Sequence, residues 1–355
     1  MADWAILGCG YVGTRLARAL CAAGGNRVRV CARNATRLEP LRDLGAEVYA
    51  LDATKSRAFG PALYGLQSPV VVYSIPPLPS GEPLRRAADA AAAVGASRFI
   101  YLSSTAVYGE TPDGETVDEQ SAVAISDPEA MTRIAEESSV DLARLSGLST
   151  VILRLSAIYG PGRGVRERLK ARSYKLVDDG AHWFSRVHVD DIVGILCAAA
   201  ERAPTGAVYC VADDRPSTQR EYADWLVARL GVPAPPSVPS LAPGAPRRGV
   251  RNRRVANGLV KRELGYSFRY PSYVEGEQAI EREAATPDAA PAPALVPVIV
   301  AAAPRSTEPL RQLADRLAEA IALLDGGDAK TARATIERAQ ALIPGIEGEE
   351  KKGKN

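Results

Sequence analysis

The sequence predicts an α/β protein built on a doubly wound parallel sheet, and three observations carry that expectation. Short apolar runs alternate with amphipathic segments from Asp3 to Ser156, the strand and helix order of such a sheet. The runs are apolar nearly throughout, as strands covered on both faces by helices require. A glycine turn, Gly8-Cys9-Gly10-Tyr11-Val12-Gly13, directly follows the first run and opens the first amphipathic segment.

Strands are expected at Trp4–Leu7, Arg27–Cys31, Glu47–Ala50, Pro69–Ser74, Phe99–Ser103 and Thr150–Leu155. Helices with apolar residues at helical spacing are expected at Gly13–Ala23, Pro83–Val94 and Asp127–Leu145. From Gly160 to about Arg282 the order becomes mixed: a helix after the Asp190–Asp191 pair, a strand near Val208–Val211, a helix from Ser217 and a Pro-rich stretch from Val232 to Pro246. This predicts a Rossmann-type core over residues 1–160 with a small interwoven substrate domain over about 160–284. Residues 285–306 read as a stiff Ala/Pro-rich linker. Residues 307–345 read as a helical hairpin, with Leu310, Leu313, Leu317, Ile321 and Leu324 on one face and Gly326–Gly327 as the turn, suited to self-association or protein docking. Residues 346–355 read as a disordered tail.

An apolar fraction of 46% with 24% charged residues is that of a globular chain. A net charge of +2 supplies no broad field for nucleic acid or an anionic membrane, which leaves a small molecule as the expected partner. The apolar stretch from Ala294 to Ala303 is broken by Pro297 and is too short to span a bilayer. Five scattered cysteines without a Cys-x-x-Cys pair read as buried thiols of a cytoplasmic protein, with no metal role.

The glycine turn sits where a dinucleotide's pyrophosphate binds: Gly8 permits the tight turn, Gly10 admits the phosphates, Gly13 lets helix and strand pack, and Tyr11 and Val12 offer N–H groups at the helix start. About 20 residues past the last glycine, where an acidic residue would hold a ribose 2′-hydroxyl, the chain reads Cys31-Ala32-Arg33-Asn34. Arg33 suits a 2′-phosphate, so NADP(H) is favoured over NAD(H). Asp52 is read as either an adenine contact or a helix N-cap. Ligands of such sheets bind outside the carboxyl ends of the strands, which places Ser74, Ser103 and Ser156 at the cofactor.

Three longer motifs carry a resemblance. Leu102-Ser103-Ser104-Thr105-Ala106-Val107-Tyr108-Gly109, the run from Leu153 to Arg163 and Arg186-Val187-His188-Val189-Asp190-Asp191-Ile192 resemble the NAD-dependent epimerase/dehydratase family of extended short-chain dehydrogenases, over roughly Trp4 to Gly276. The resemblance implies a Rossmann domain with a substrate domain, acting on nucleotide sugars or related carbonyl compounds. It implies a Ser or Thr after the fifth strand, here Ser104, assisting a Tyr-x-x-x-Lys pair on the next helix. That pair is missing: no tyrosine occurs between Tyr108 and Tyr159 and no lysine between Lys55 and Lys170. The chain is therefore similar to an atypical subgroup that keeps the cofactor turn without the dyad. Arg133 is the candidate for the lysine's electrostatic role, Tyr108 for a substitute phenol, and His188 for either an acid/base or a turn-fixing residue. Tyr159, Arg163, His188 and Arg251 are the candidate substrate contacts. The Arg247, Arg248, Arg251, Arg253 and Arg254 run reads as a substrate-anion contact or a solvated face, and Asp178-Asp179 and Asp213-Asp214 read as solvated turns. An NAD(P)-dependent oxidoreductase or epimerase-like enzyme is expected, with a catalytically silent cofactor-binding module as the alternative; epimerisation, dehydration and reduction all stay open.

Overall fold

The computed structural model describes residues 2–285 apart from 56, 79–80, 112 and 241–250. These lie in the first of two compact units, Met1–Val298 and Ile299–Asn355. The expected linker, helical hairpin and tail fall outside the described residues.

Seven parallel strands form the sheet: β1 (Ala2–Leu7), β2 (Asn26–Ala32), β3 (Glu47–Ala50), β4 (Val70–Tyr73), β5 (Arg98–Ser104), β6 (Thr150–Leu155) and β7 (Ala207–Val211), in the order β7-β6-β5-β4-β1-β2-β3. β1 sits between β2 and β4, with Ile6 opposite Val30 on one side and Val72 on the other. The chain winds outward in both directions from this point, so a crevice opens beyond the ends of β1 and β4.

Helices cover both faces because both faces are apolar. Against one pack Leu16 and Leu20 of α1 (Tyr11–Ala23), with Ile192 and Leu196 of a later helix. Against the other pack Leu84 and Ala88 of α2 (Glu82–Ala93) and Val140 of α3 (Pro128–Leu145). Asp127 caps α3, its carboxylate accepting from the N–H groups of Glu129 and Ala130, and Pro128 takes the first helical position where no donor is needed.

After β6 the chain leaves the sheet and returns in short pairs. Ala157–Tyr159 runs parallel to Arg186–His188, and Trp183–Phe184 runs antiparallel to Ser217–Thr218. Thr116–Val117, from before α3, runs parallel to Arg254–Val255, so the smaller lobe is woven from segments on both sides of β6 in the chain. The helix Val165–Lys170, α5 (Gln219–Leu230) and α6 (Tyr273–Ala285) build it, while α4 (Val189–Arg202) is the later helix that lies against the sheet. Its own core gathers Tyr159, Leu169, Tyr222, Leu226 and Tyr273.

Candidate active site

A cleft of about 670 Å³ lies over the carboxyl ends of the strands and runs from the glycine turn to the smaller lobe. Its first end is built by β1 and α1. Gly8 takes φ +90°, and a Cβ there would stand 2.6 Å from Ile75, so only glycine makes this turn. Gly13 packs on Ile6, which a Cβ would approach to 2.9 Å. A Cβ on Gly10 would meet nothing closer than the Gly8 carbonyl at 3.7 Å and would enter the cleft itself. Gly10 caps α1 without a side-chain bond, which leaves the N–H groups of Tyr11, Val12 and Gly13 without helical partners at the positive end of the helix. Ser74, at the end of β4, closes the turn by donating to the Gly8 carbonyl at 2.8 Å.

Further along this end, Arg33 and Arg37 both line the cleft, and Arg37 donates to the Cys9 carbonyl at 2.9 Å. Asp52 is neither free nor a helix cap. It closes a small turn by accepting from the Thr54 N–H and hydroxyl at 3.0 and 2.7 Å, which keeps its carboxyl ionised, and it lines the cleft beside Arg33.

The middle of the cleft belongs to β5, β6 and α3. Ser104 ends β5 and caps the 3₁₀ turn Thr105–Tyr108, accepting from the Ala106 N–H at 3.1 Å, and its hydroxyl proton remains available to a ligand. Glu129 and Arg133 stand one helical turn apart on α3 and both line the cleft with Ser104. Glu129 is half-exposed and pairs with Arg251. Arg133 is fixed from below, donating to Tyr101 at 3.1 Å and lying 3.6 Å from Glu136, a buried carboxyl that itself accepts from Tyr101 and whose pKa burial raises. Ser156, just past β6, is buried and lines the cleft with no partner for its hydroxyl among the described residues.

A polar layer supports this wall. Arg154 of β6 makes a two-pronged pair with Glu137 of α3, at 2.7 Å for the closer prong, and Glu137 also accepts from Ser103 at 2.6 Å. Both charges are buried, so the geometry that satisfies them also fixes β5 and β6 against α3.

At the far end the smaller lobe contributes Trp183, Phe184, Ser185, Arg251, Arg253 and Val255. Arg163 reaches the cleft from the loop after Ala157–Tyr159 and lies 5.1 Å over the Tyr11 ring. Among the described residues no group of His, Cys, Asp or Glu side chains is placed to hold a metal ion, and no helix is long and apolar enough to cross a membrane.

Comparison with known proteins agrees with this geometry. Residues 84–212 match the NAD dependent epimerase/dehydratase family, and residues 4–61 match the TrkA-N domain. A conserved protein of unknown function from Silicibacter pomeroyi is 31% identical, with a TM-score of 0.69 over 80% of this chain and 99% of that one. The chain belongs to the NAD-dependent epimerase/dehydratase family. A 3-diazoavenalumate denitrifying reductase from Streptomyces is 30% identical over 53% of this chain, and the match spans only 66% of that protein's length. Protein YeeZ of Escherichia coli is 26% identical over 75% of this chain and 96% of its own. The dTDP-glucose 4,6-dehydratase DesIV of Streptomyces venezuelae, solved with NAD and TYD bound, shares the fold at 22% identity, with a TM-score of 0.67 over 79% of this chain and 96% of that one.

Against the family pattern, Glu129 and Arg133 have the four-residue spacing of the Tyr-x-x-x-Lys pair, on the helix where that pair belongs. Arg133 was singled out from the sequence and Glu129 was not, although their spacing was visible. Arg37, Trp183 and Phe184 were likewise missed as cleft residues, whereas Arg253 belongs to the basic run read as a substrate-anion contact or a solvated face and lines the cleft. Three expected site residues lie elsewhere. The Tyr108 ring turns away from the cleft: its hydroxyl donates to the Asp118 carbonyl at 2.6 Å and accepts from Arg154 at 2.9 Å, against Cys210. Tyr159 is buried against Gly276, where a Cβ would collide with it, and its hydroxyl bonds the Ser272 carbonyl at 3.3 Å. His188 does not line the cleft. It is itself the N-cap of α4, in place of the expected Asp190, accepting from the Asp190 N–H at 3.2 Å, and burial lowers its pKa to about 4 so that it is neutral at pH 7. One expected solvated turn is also corrected: Asp213 is buried, one carboxylate oxygen lacks a partner among the described residues, and burial pushes its pKa up to about 8.

Proposed function

We propose that the chain is an NADP(H)-dependent oxidoreductase that interconverts a carbonyl and a hydroxyl on a small substrate, with Ser104, Glu129 and Arg133 as its working side chains. The observation that carries this reading is that one cleft joins the glycine turn and Arg33 to those three residues and to the smaller lobe. The cradle fits the cofactor: the Gly10 Cβ position is open, the helix start offers free N–H groups, and the buried hydroxyl of Ser156, a cleft-lining residue, has no partner among the described residues. Arg33 and Arg37, with no acidic residue at the end of β2, favour the 2′-phosphate of NADP(H) over a free 2′-hydroxyl.

When bound, the cofactor's nicotinamide supplies or accepts a hydride at the substrate carbon. Ser104 donates a hydrogen bond to the substrate oxygen, since its lone pair already accepts from Ala106. Glu129, paired with Arg251 and in reach of solvent, takes the hydroxyl proton in oxidation and returns a proton drawn from water in reduction. Arg133 stays charged throughout and stabilises negative charge growing on the oxygen, because a guanidinium is not a proton donor at neutral pH.

The test is NADPH oxidation followed at 340 nm across aldehydes and ketones, in the wild type, Ser104→Ala and Glu129→Gln. Each substitution is expected to lower kcat by roughly 100-fold or more with NADPH affinity unchanged. Turnover undiminished in both variants refutes the assignment. A second reading, a cofactor-binding module without turnover, is favoured by a cleft lining whose one tyrosine, Tyr11, already donates to the Pro161 carbonyl. Tight cofactor binding without turnover on any carbonyl would establish it.

A further inference from the structure

The far end of the cleft holds a buried cation with no anion beside it. Arg253 is 5% exposed and lines the cleft. Its guanidinium donates to the Gly109 carbonyl, and among the described residues no carboxylate lies within 4 Å of it. The charged groups around it are otherwise engaged: Arg251 and Glu129 pair with each other, and Asp127 caps α3. Buried charges are normally paired, because leaving water without a counter-charge is costly. Burial first, and then the charge of Arg251, bring its pKa down to about 10, which still leaves it charged at neutral pH.

Its backbone is tied to an aromatic segment. The Arg253 N–H donates to the Trp183 carbonyl at 3.0 Å, and the Trp183 N–H donates to the Asn252 side chain at 2.8 Å, so the two segments are held together. The Arg254 guanidinium lies 5.2 Å over the Trp183 ring, and Phe184 follows it into the cleft wall. A buried guanidinium and two aromatic side chains lining one cleft suit an anion carried on a flat body.

We propose that the substrate is a small aromatic or conjugated carboxylate, its anion taken by Arg253 and its flat body laid against Trp183 and Phe184. This deepens the oxidoreductase reading and rests on it for the identity of the cleft. A single guanidinium with one carbonyl partner matches a monoanionic carboxylate better than a phosphate, which gathers several donors.

The experiment is isothermal titration of the full chain, alone and saturated with NADP⁺, with cinnamate, its neutral isostere cinnamamide, and phenyl phosphate. Cinnamate is expected to bind at least tenfold more tightly than cinnamamide. The preference should vanish in Arg253→Gln and return in part in Arg253→Lys, with melting temperatures checked for each variant. The comparison of cinnamate with cinnamamide on the wild type needs no variant to fold. No cinnamate binding, equal binding of cinnamamide, tighter binding of phenyl phosphate, or an unchanged preference in a folded Arg253→Gln protein each overturns the proposal. Failure to bind NADP⁺ sinks the oxidoreductase reading, and the titration of the chain alone still decides this one.

Discussion

Replacing Glu137 by alanine removes the one carboxylate that pairs with Arg154 among the described residues and leaves that guanidinium buried between β6 and α3. Breaking a buried pair by removing one partner costs about 3–5 kcal/mol, because the remaining charge keeps its desolvation penalty without its counter-charge. Ser103 also loses its acceptor, while Arg154 keeps the Tyr108 hydroxyl as an acceptor at 2.9 Å. A loss of that size is a large part of the 5–15 kcal/mol that holds a typical domain together. The double variant Glu137→Leu with Arg154→Met should recover most of it, since a buried pair replaced by apolar groups of similar volume is about neutral. Urea unfolding followed by circular dichroism on the wild type, Glu137→Ala, the singles Glu137→Leu and Arg154→Met, and their double measures the cost and the coupling. A cost below about 1 kcal/mol for Glu137→Ala, or a double variant as unstable as the sum of the singles, would refute the reasoning.

The buried Asp213 gives a second expectation. Its pKa is raised to about 8 from 3.8, so the stability linked to its protonated form is fully present below about pH 4 and is lost as pH rises through about 8. Asp213→Asn keeps the acceptor for the Arg215 N–H and should match the wild type near pH 4 and exceed it by about 5 kcal/mol at pH 8; parallel stability curves for the two proteins would count against it. The two glycines of the turn should separate folding from binding. Gly10→Ala, at negative φ with open space around it, should leave urea unfolding unchanged and weaken NADPH binding at least tenfold, whereas Gly8→Ala should lower stability itself.

Most of the sheet was legible because its signal is local. Val70–Tyr73 is bounded by turns and apolar at every position, so its strand could be placed within a residue or two without knowing its neighbours. The glycine-turn end of the cleft was legible for a related reason, since the turn and Arg33 are set by chain geometry within one β-α-β unit and both line the cleft. The far end was not. Arg253 and Arg254 are adjacent in a basic run, and which of them is buried is decided by pairing with Thr116–Val117, more than a hundred residues away. Tyr108 follows a strand that ends at the cleft, and only the 3₁₀ turn after Ser104 carries its ring under the sheet to Arg154. Asp213 looks like a turn residue in sequence, and it becomes buried because its N–H pairs with the Arg186 carbonyl inside the smaller lobe. Glu129 went unread because its residue type departs from the family pair, although its spacing to Arg133 matches.

Direct titration with NADPH and with NADH, following cofactor fluorescence in the wild type and in Arg33→Ala, tests the central claim. NADPH is expected to bind at least tenfold more tightly than NADH, and Arg33→Ala should remove that preference while leaving NADH affinity unchanged. Equal binding of the two cofactors by the wild type would contradict the NADP(H) assignment, and binding of neither would contradict the cofactor site itself.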